Sequence, residues 1–338
     1  AGGLKMVALG LVPDLTAKAA RTAASNAGAK VAKTFAYEIS GAEQQEIYDI
    51  NPDLVLLCGG TDGGNKEVII ANAKRLVAID RPFTTIIAGN KSASDEIRTI
   101  FEEAGKDFVI TENVMPQFNK LNIEPARDAI RQLFISRIIE AKGLNILQGM
   151  TPYKIIPTPL AVLHACELLS KGTKTQAGRG DLLAVDIGGA TTDVYSMASG
   201  EPTVDNTMMK GLPEPWMKRT VEGDLGMRYS LTHVYEQIPG AGQPENEYMQ
   251  QVKAWVDLCT AHPDTLAAPG SVEEGLEEFL GRSAVSMAVE RHCGRIADVF
   301  TPLGLMHTLE GKDLMNVPCV IGIGGVLRNS RRPQEILK

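Results

Sequence analysis

The chain has 338 residues, of which 44% are hydrophobic and 33 are glycine, enough material for two α/β domains with separate cores. Its formal net charge of -7 excludes a general polyanion-binding surface, so we expect no nucleic-acid partner. No apolar run approaches the ~20 residues that span a bilayer, which predicts a soluble protein without a membrane partner. Five scattered cysteines without metal-ligand spacing indicate reduced thiols and a cytoplasmic location.

Strands and helices alternate in the first half of the sequence. Apolar runs predict the strands, and amphipathic stretches between them predict helices. The predicted strands are 5–11, 30–35, 54–58, 84–88 and 108–111, and the predicted helices include 14–27, 67–76 and 94–103. This alternation is typical of βαβ units, so we expect an N-terminal α/β domain with a doubly wound parallel sheet.

A long amphipathic helix and a proline-rich joint follow. Apolar residues at helical spacing predict a helix over 125–141. Pro152, Pro157 and Pro159 then restrict the backbone between packed bodies, so we place a domain boundary near residue 150. The predicted domains are therefore 1–150 and 151–338.

The second half opens with a predicted helix over 160–169, followed by two strands in immediate succession. Strands 182–187 and 192–197 are joined by Gly-Gly-Ala-Thr, which predicts an antiparallel hairpin. We interpret the Pro- and Glu-rich segment 238–280 as a peripheral excursion with one helix over 245–258. The remaining predicted elements are a helix over 284–293 and a strand over 319–323 that runs into Gly324-Gly325.

The bend of this hairpin has the residue types of a phosphate site. Gly188 and Gly189 have no side chains, so backbone amides can approach phosphate oxygens closely. Thr191 and Thr192 add hydroxyl donors for the same anion. The alternative is a tight turn in which the glycines serve geometry and the threonines serve strand propensity.

Acidic residues flank the bend on both sides. Asp186, at the end of a buried strand, is a candidate ligand for the hydration shell of Mg²⁺, and Asp193 could do likewise or orient an attacking water. Carboxylates at the ends of buried strands cost free energy unless they have partners. The two acids therefore favour the functional interpretation of the bend over the plain turn.

Two further segments each have two possible interpretations. The loop Gly59–Gly64 follows a predicted strand, where open α/β sheets place ligands, or it is a plain strand-to-helix connection. The charged stretch Lys210–Arg228 either lines a cleft, with Glu222-Gly223-Asp224 near a nucleotide, or is a solvated loop. The five histidines lack zinc-ligand spacing, so we expect no zinc site.

The segment Asp186–Asp193 resembles the second phosphate motif of the actin, sugar kinase and Hsp70 ATPase superfamily. A later Gly-x-Gly-Gly turn holds the adenosine in that superfamily, and Gly322, Gly324 and Gly325 match it. The resemblance implies an actin-like ATPase (ribonuclease H-like) fold, with two α/β lobes and a nucleotide cleft between them. It also implies ATP and Mg²⁺ as cofactors, Asp186 and Asp193 as catalytic residues, and Asp186 as the metal ligand.

The sequence is also similar, over nearly its whole length, to the MutL-like accessory proteins of glutamate (methylaspartate) mutase. This resemblance is carried by segments 56–67, 88–91, 111–116, 210–215 and 218–228. It implies a reactivating chaperone that uses ATP to release damaged cobalamin from an adenosylcobalamin-dependent aminomutase. The expected partners are the mutase subunits and nucleotide, with homodimerisation left open, and ATPase activity is expected of the full-length protein.

One superfamily feature has no counterpart in the sequence. The first phosphate hairpin would precede Lys5, so we expect a fragment whose first lobe, or inserted domain, lacks that hairpin. The alternative functions are a reactivase for ornithine aminomutase and a small-molecule kinase on the same fold. A structural subunit whose hairpin no longer binds nucleotide is a third.

Overall fold

The computed structural model describes residues 5–26, 30–141, 149–153, 156–211, 214–243, 246–301 and 304–338. They form two compact units, one from Ala1–Val162 and Gly211–Pro213 and one from Leu163–Lys210 and Glu214–Lys338. Within the described ranges, no helix combines the length and the hydrophobicity needed to cross a membrane.

The first unit is built on a five-stranded parallel sheet with the order β2-β1-β3-β4-β5. Its strands are β1 (Lys5–Gly10), β2 (Lys30–Ala36), β3 (Leu54–Leu57), β4 (Thr84–Ile87) and β5 (Phe108–Ile110). All five predicted strands are confirmed. Apart from the exposed Lys5, the central strands β1 and β3 are apolar and buried, as expected of a parallel sheet that is covered on both faces.

Helices cover both faces of this sheet, which confirms the predicted doubly wound arrangement. The helices are α1 (Lys18–Asn26), α2 (Gly41–Ile50), α3 (Glu67–Val77), α4 (Ser94–Glu103) and α5 (Glu124–Ala141). Side chains of α1 and α5 pack in one core with alternate residues of the central strands, and those of α2, α3 and α4 pack in the core on the other face. The predicted helix over 14–27 begins with a π-helical turn, Pro13–Ala17, and Ala27 lies outside the described residues.

The second unit begins at Leu163, within α6 (Thr158–Lys171), and contains two sheets. Its strands are β6 (Leu182–Ile187), β7 (Thr192–Met197), β8 (Thr207–Met209), β9 (Met217–Glu222), β10 (Arg295–Thr301), β11 (Gly304–Glu310) and β12 (Cys319–Ile323). The main sheet has the order β12-β6-β7-β9, with β12 parallel to β6 and the other pairs antiparallel. The small sheet has the order β10-β11-β8. The predicted hairpin β6–β7 and the strand β12 are confirmed.

Helices pack on one face of the main sheet and form the core of the second unit. They are α7 (Leu231–Glu236), α8 (Glu247–Ala261), α9 (Val272–His292), α10 (Gly325–Asn329) and α11 (Pro333–Ile336). The core joins Val185 of β6 and Val194 of β7 to side chains of α8 and α9. On the opposite face, residues of β6 and β7 such as Leu182, Tyr195 and Met197 are buried as well.

One prediction for the second unit is wrong, and one of the interpretations left open is incomplete. The segment 238–280 is not peripheral, because Val252, Trp255 and Val256 of α8 and Leu276 of α9 belong to the core. The segment is rich in acidic and proline residues, but it also contains apolar residues at helical spacing, and these form the buried face of its helices. The stretch 210–228 is not simply a loop either, because its central part is β9, which pairs with β7.

Candidate functional site

The bend between β6 and β7 is held in place through its carbonyl groups. The Gly188 carbonyl accepts from the amide of Met227 at 3.0 Å, and the Gly189 carbonyl accepts from the amides of Arg228 and Tyr229 at 2.8 Å each. The Gly188 amide closes the bend by donating to Thr191 O at 2.9 Å. The bend is therefore a fixed backbone structure, not a flexible tip.

The next three amides along the bend have no hydrogen-bond partner in the described part of the chain. They belong to Gly189, Ala190 and Thr191, and Gly189 is exposed. Backbone amides rarely stay unpaired, and successive free amides form an anion-binding concavity. The backbone therefore provides the predicted donors for an anion, although Gly188 is occupied within the bend.

Asp186 lies at the end of β6, directly opposite Asp193 of β7 in the strand register. Its carboxylate is half-buried and has neither a hydrogen-bond nor an ion-pair partner among the described residues. Burial raises its pKa above the ordinary value, the charge of Asp193 adds to the rise, and Arg219 opposes it. A half-buried carboxylate without a direct partner is a site where a cation would lower the free energy.

Asp193 is held differently. Its Oδ1 accepts from the guanidinium of Arg219, with the Nε atom at 2.9 Å, and its Oδ2 accepts from the Thr191 hydroxyl at 3.3 Å. Asp193 and Arg219 are 6% and 3% exposed, so this ion pair is almost free of water. Both oxygens of Asp193 already have donors, so the geometry favours Asp186 over Asp193 as a metal ligand.

The two threonines of the motif point in different directions. Thr192 is fully buried, and its hydroxyl donates to the carbonyl of Leu225 at 2.5 Å. This bond anchors β7 to the segment after β9, so the Thr192 hydroxyl is not presented at the bend as the sequence predicts. Thr191 is half-buried, beside the free amides.

A cavity of about 600 Å³ joins the two glycine-rich segments predicted to bind nucleotide. Gly188 and Gly189 line it on one side and Gly324 and Gly325 on the other. Its volume is within the range of small-molecule sites. A second cavity, of about 660 Å³, contains none of the predicted site residues.

Gly324 allows the two segments to meet. Its φ is +110°, and a Cβ atom there would lie 2.2 Å from the carbonyl oxygen of Ile187 at the end of β6. Gly325 starts α10 and is exposed to the cavity, whereas a Cβ on Gly322 would meet Leu327 and Leu337. Gly324 and Gly325 therefore line the cavity, and Gly322 serves the packing of β12.

The acidic residues on the cavity wall have cationic partners. On α9, Glu277 pairs with Arg228 at 2.6 Å, and Glu278 pairs with Arg332 at 2.6 Å. Glu274 pairs with Arg331 at 2.7 Å. These ion pairs remove most of the negative charge that the wall would otherwise present to an anionic ligand.

The charged segment after β9 does not reach this cavity. Glu222 and Asp224 both accept from Arg291 at 2.8 Å, and neither is among the residues that line the cavity. Within the same stretch, residues 212 and 213 lie outside the described residues. The residue that the sequence analysis missed is Arg219. Its only signal was its place between Met217 and Val221, at the two-residue spacing of one strand face.

In the first unit, the loop Gly59–Gly64 lies at the carboxyl end of β3, beside β1, where the direction of the strand crossovers reverses. Side chains from the neighbouring loops hold it. Asp62 accepts from the amide of Lys91 and from Asn113, and Asn90 donates to the carbonyl of Gly64. Within the residues described here, these polar groups satisfy one another, so the loop is a rigid strand-to-helix connection.

No cluster of three or more His, Cys, Asp or Glu side chains that could hold a metal exists in the described ranges. A Mg²⁺ ion at Asp186 would thus take its other ligands from water and phosphate. Mg²⁺ is commonly bound in this way, by one or two carboxylates together with substrate phosphates. The donor set at the bend fits a metal that arrives with its anion.

Fold and site together define an α/β protein of two units, whose mixed sheet carries an acid-flanked, glycine-rich bend beside a ligand-sized cavity. A family model described as MutL protein matches residues 1–338, so the chain belongs to the MutL protein family. Protein MutL of Clostridium tetanomorphum is 48% identical over 341 residues, which cover 100% of this chain and 73% of that protein. No solved structure matches the chain. The MutL-like resemblance stated from the sequence is confirmed.

Proposed function

We propose that this chain binds ATP and Mg²⁺ as part of a reactivating chaperone for an adenosylcobalamin-dependent aminomutase, with glutamate mutase as the partner. The observation that carries the proposal is the row of unpaired amides at Gly189, Ala190 and Thr191 beside the unpartnered carboxylate of Asp186. Membership of the MutL family supports the choice of partner.

The proposed fold assignment is the actin-like ATPase fold. Three features support it: the antiparallel order β6-β7-β9, the parallel pairing of β12 with β6, and the glycine turn that links β12 to a helix. In this assignment, the hairpin binds the phosphates and the turn at Gly324 receives the nucleoside.

Each part of the nucleotide has a group of matching chemistry. The free amides of the bend would bind phosphate oxygens. Asp186 would hold the hydrated Mg²⁺, which neutralises phosphate charge when bound. The apolar wall at Met227, Leu266 and Val326 would contact the base.

The reactivation step requires that nucleotide state change the affinity for the mutase. A ligand shifts a conformational equilibrium only by its differential affinity for the two states. ATP and its hydrolysis product differ by one phosphate, and the bend at residues 188–191 is where that difference would be bound. We therefore assign the coupling between hydrolysis and cobalamin release to the hairpin.

The test is a reactivation assay. Glutamate mutase that has been inactivated in turnover is incubated with the full-length protein, ATP, Mg²⁺ and fresh adenosylcobalamin, and recovered mutase activity is measured. The proposal predicts recovery with the wild type and none with Asp186→Ala. Unaltered rescue by Asp186→Ala contradicts it. Inactivated ornithine aminomutase, tested in parallel, shows whether that enzyme is the partner instead.

A further inference from the structure

Arg219 directly contacts one of the two acids of the hairpin, Asp193, in the described part of the chain. It extends from β9, where it lies opposite Tyr195 of β7 in the register. Its Nε and Nη2 atoms both donate to Oδ1 of Asp193, at 2.9 and 2.5 Å. The guanidinium carbon lies 5.8 Å from the centre of the Tyr195 ring.

This contact makes the two acids chemically different. Asp186 and Asp193 are register partners, so two negative charges would face each other at a partly buried place. Like charges so close disfavour ionisation of one of them. The positive charge of the guanidinium offsets the charge of Asp193 and leaves Asp186 as the acid with net charge to offer.

We propose that Arg219 is a positioning residue that keeps Asp193 from binding metal, so that the site takes a divalent cation only together with a nucleotide. This inference rests on the proposed function. A single carboxylate holds Mg²⁺ weakly, so phosphate oxygens must supply the remaining ligands. Two free carboxylates would bind the bare ion and would repel the polyphosphate.

The geometry supports this role over a purely structural one. Thr191 donates to the other oxygen of Asp193, so Arg219 and Thr191 together fix the plane of that carboxylate. Thr191 is also the last of the three residues with a free amide. The ion pair therefore holds the end of the bend at which a phosphate would be bound.

The experiment measures Mn²⁺ binding without nucleotide, by electron paramagnetic resonance, and MgATP binding by titration calorimetry. The variants are Arg219→Gln, Asp193→Asn and the double variant that combines them. Arg75→Gln, which breaks the half-exposed pair with Glu38 in the first unit, is the control for loss of an ion pair. Arg219→Lys, which keeps the charge but not the two-pronged contact, tests rescue by a conservative change.

For Arg219→Gln we expect Mn²⁺ to bind about tenfold more tightly and MgATP about tenfold more weakly than for the wild type. The double variant should return both affinities to within about threefold of the wild type, because both charges of the pair are gone. Arg219→Lys should lie between the wild type and Arg219→Gln, and Arg75→Gln should match the wild type. Equal Mn²⁺ binding by Arg219→Gln and the wild type overturns the proposal.

Two further outcomes of this experiment also have a defined interpretation. If Arg219→Gln does not fold, Asp193→Asn decides: we expect it to retain MgATP binding, and a loss as large as that of Asp186→Asn overturns the proposal. If the wild type binds no MgATP, the proposed function fails. The Mn²⁺ titrations then decide the role of Arg219 on their own, by the same criterion.

Discussion

Asp186 and Asp193 face each other across β6 and β7, yet of these two acids it is Asp193, not Asp186, to which Arg219 donates. The sequence presents the two acids as a symmetrical pair around a glycine bend. The fold separates their roles, because β9 places a buried guanidinium beside one of them. The central claim is therefore that Asp186 is the acid available for a metal and that Asp193 is part of the frame of the bend.

The two neighbouring threonines provide a matched test of that frame. Thr192→Val removes a fully buried hydroxyl that donates to Leu225 O and should lower the free energy of unfolding by about 1–2 kcal/mol. Thr191→Ala should change stability by less than about 0.5 kcal/mol but weaken MgATP binding several-fold. Urea unfolding and calorimetry of both variants measure the two effects. The geometry is contradicted if Thr191→Ala lowers the free energy of unfolding more than Thr192→Val does, or if Thr192→Val alone weakens MgATP binding.

Gly324 should tolerate no side chain. A Cβ there would lie 2.2 Å from Ile187 O, and φ is +110°. We expect Gly324→Ala to destabilise the protein by more than about 2 kcal/mol in urea unfolding. The control is Gly275→Ala at the start of α9, where nothing lies within 4 Å of the new Cβ. It should be neutral or stabilising by up to about 1 kcal/mol. Equal effects of the two changes would falsify the close approach of β12 to β6.

A buried lysine in the second unit should make stability depend on pH. Lys312 is 1% exposed, and its ammonium donates to Trp216 O at 2.7 Å and to Ser196 Oγ at 3.4 Å. Burial lowers its pKa to about 7, and the charge of Lys218 adds to the effect. Between about pH 7 and the ordinary value of 10.5, the unfolded chain therefore binds one more proton than the folded chain. The free energy of unfolding should rise with pH across this window.

Lys312→Met removes the titrating group and should remove this rise. The difference in unfolding free energy between the wild type and Lys312→Met should change by about 2 kcal/mol, in favour of the wild type, from pH ~7 to pH ~9. Urea denaturation at both pH values measures it. Lys253→Met, at a half-exposed ion pair with Asp257, serves as the control and should leave the pH dependence unchanged. A Lys312→Met profile parallel to that of the wild type contradicts the buried neutral amine.

The hairpin could be predicted from the sequence because its signals are local. Apolar strands of fixed length enclose two glycines, and the acids mark the strand ends, so the register that places Asp186 opposite Asp193 follows from the length of the bend. The approach of Gly324 to Ile187 was not predicted from the sequence. It depends on the pairing of two strands that lie more than a hundred residues apart.

The pairing of Arg219 could not be predicted in the same way. The segment around it is rich in charges and turns, which favoured a loop, and tertiary pairing with β7 overrode that local preference. The same reason explains the wrong interpretation of 238–280, where Trp255 and its neighbours on α8 supply core contacts. The amino-acid composition of a segment does not separate the buried face of a helix from its exposed face, so a segment rich in acidic residues can still carry a buried apolar face.

Calorimetric titration of ATP into the wild type and Asp186→Asn, with and without Mg²⁺, tests the central claim most directly. The account predicts that Asp186→Asn weakens ATP binding about tenfold or more when Mg²⁺ is present, because the carboxylate that holds the hydrated ion is gone. Without Mg²⁺ the variant should bind ATP as well as the wild type or better, since a negative charge beside the polyphosphate has been removed. Equal affinity of the two proteins for ATP in the presence of Mg²⁺ would contradict the account.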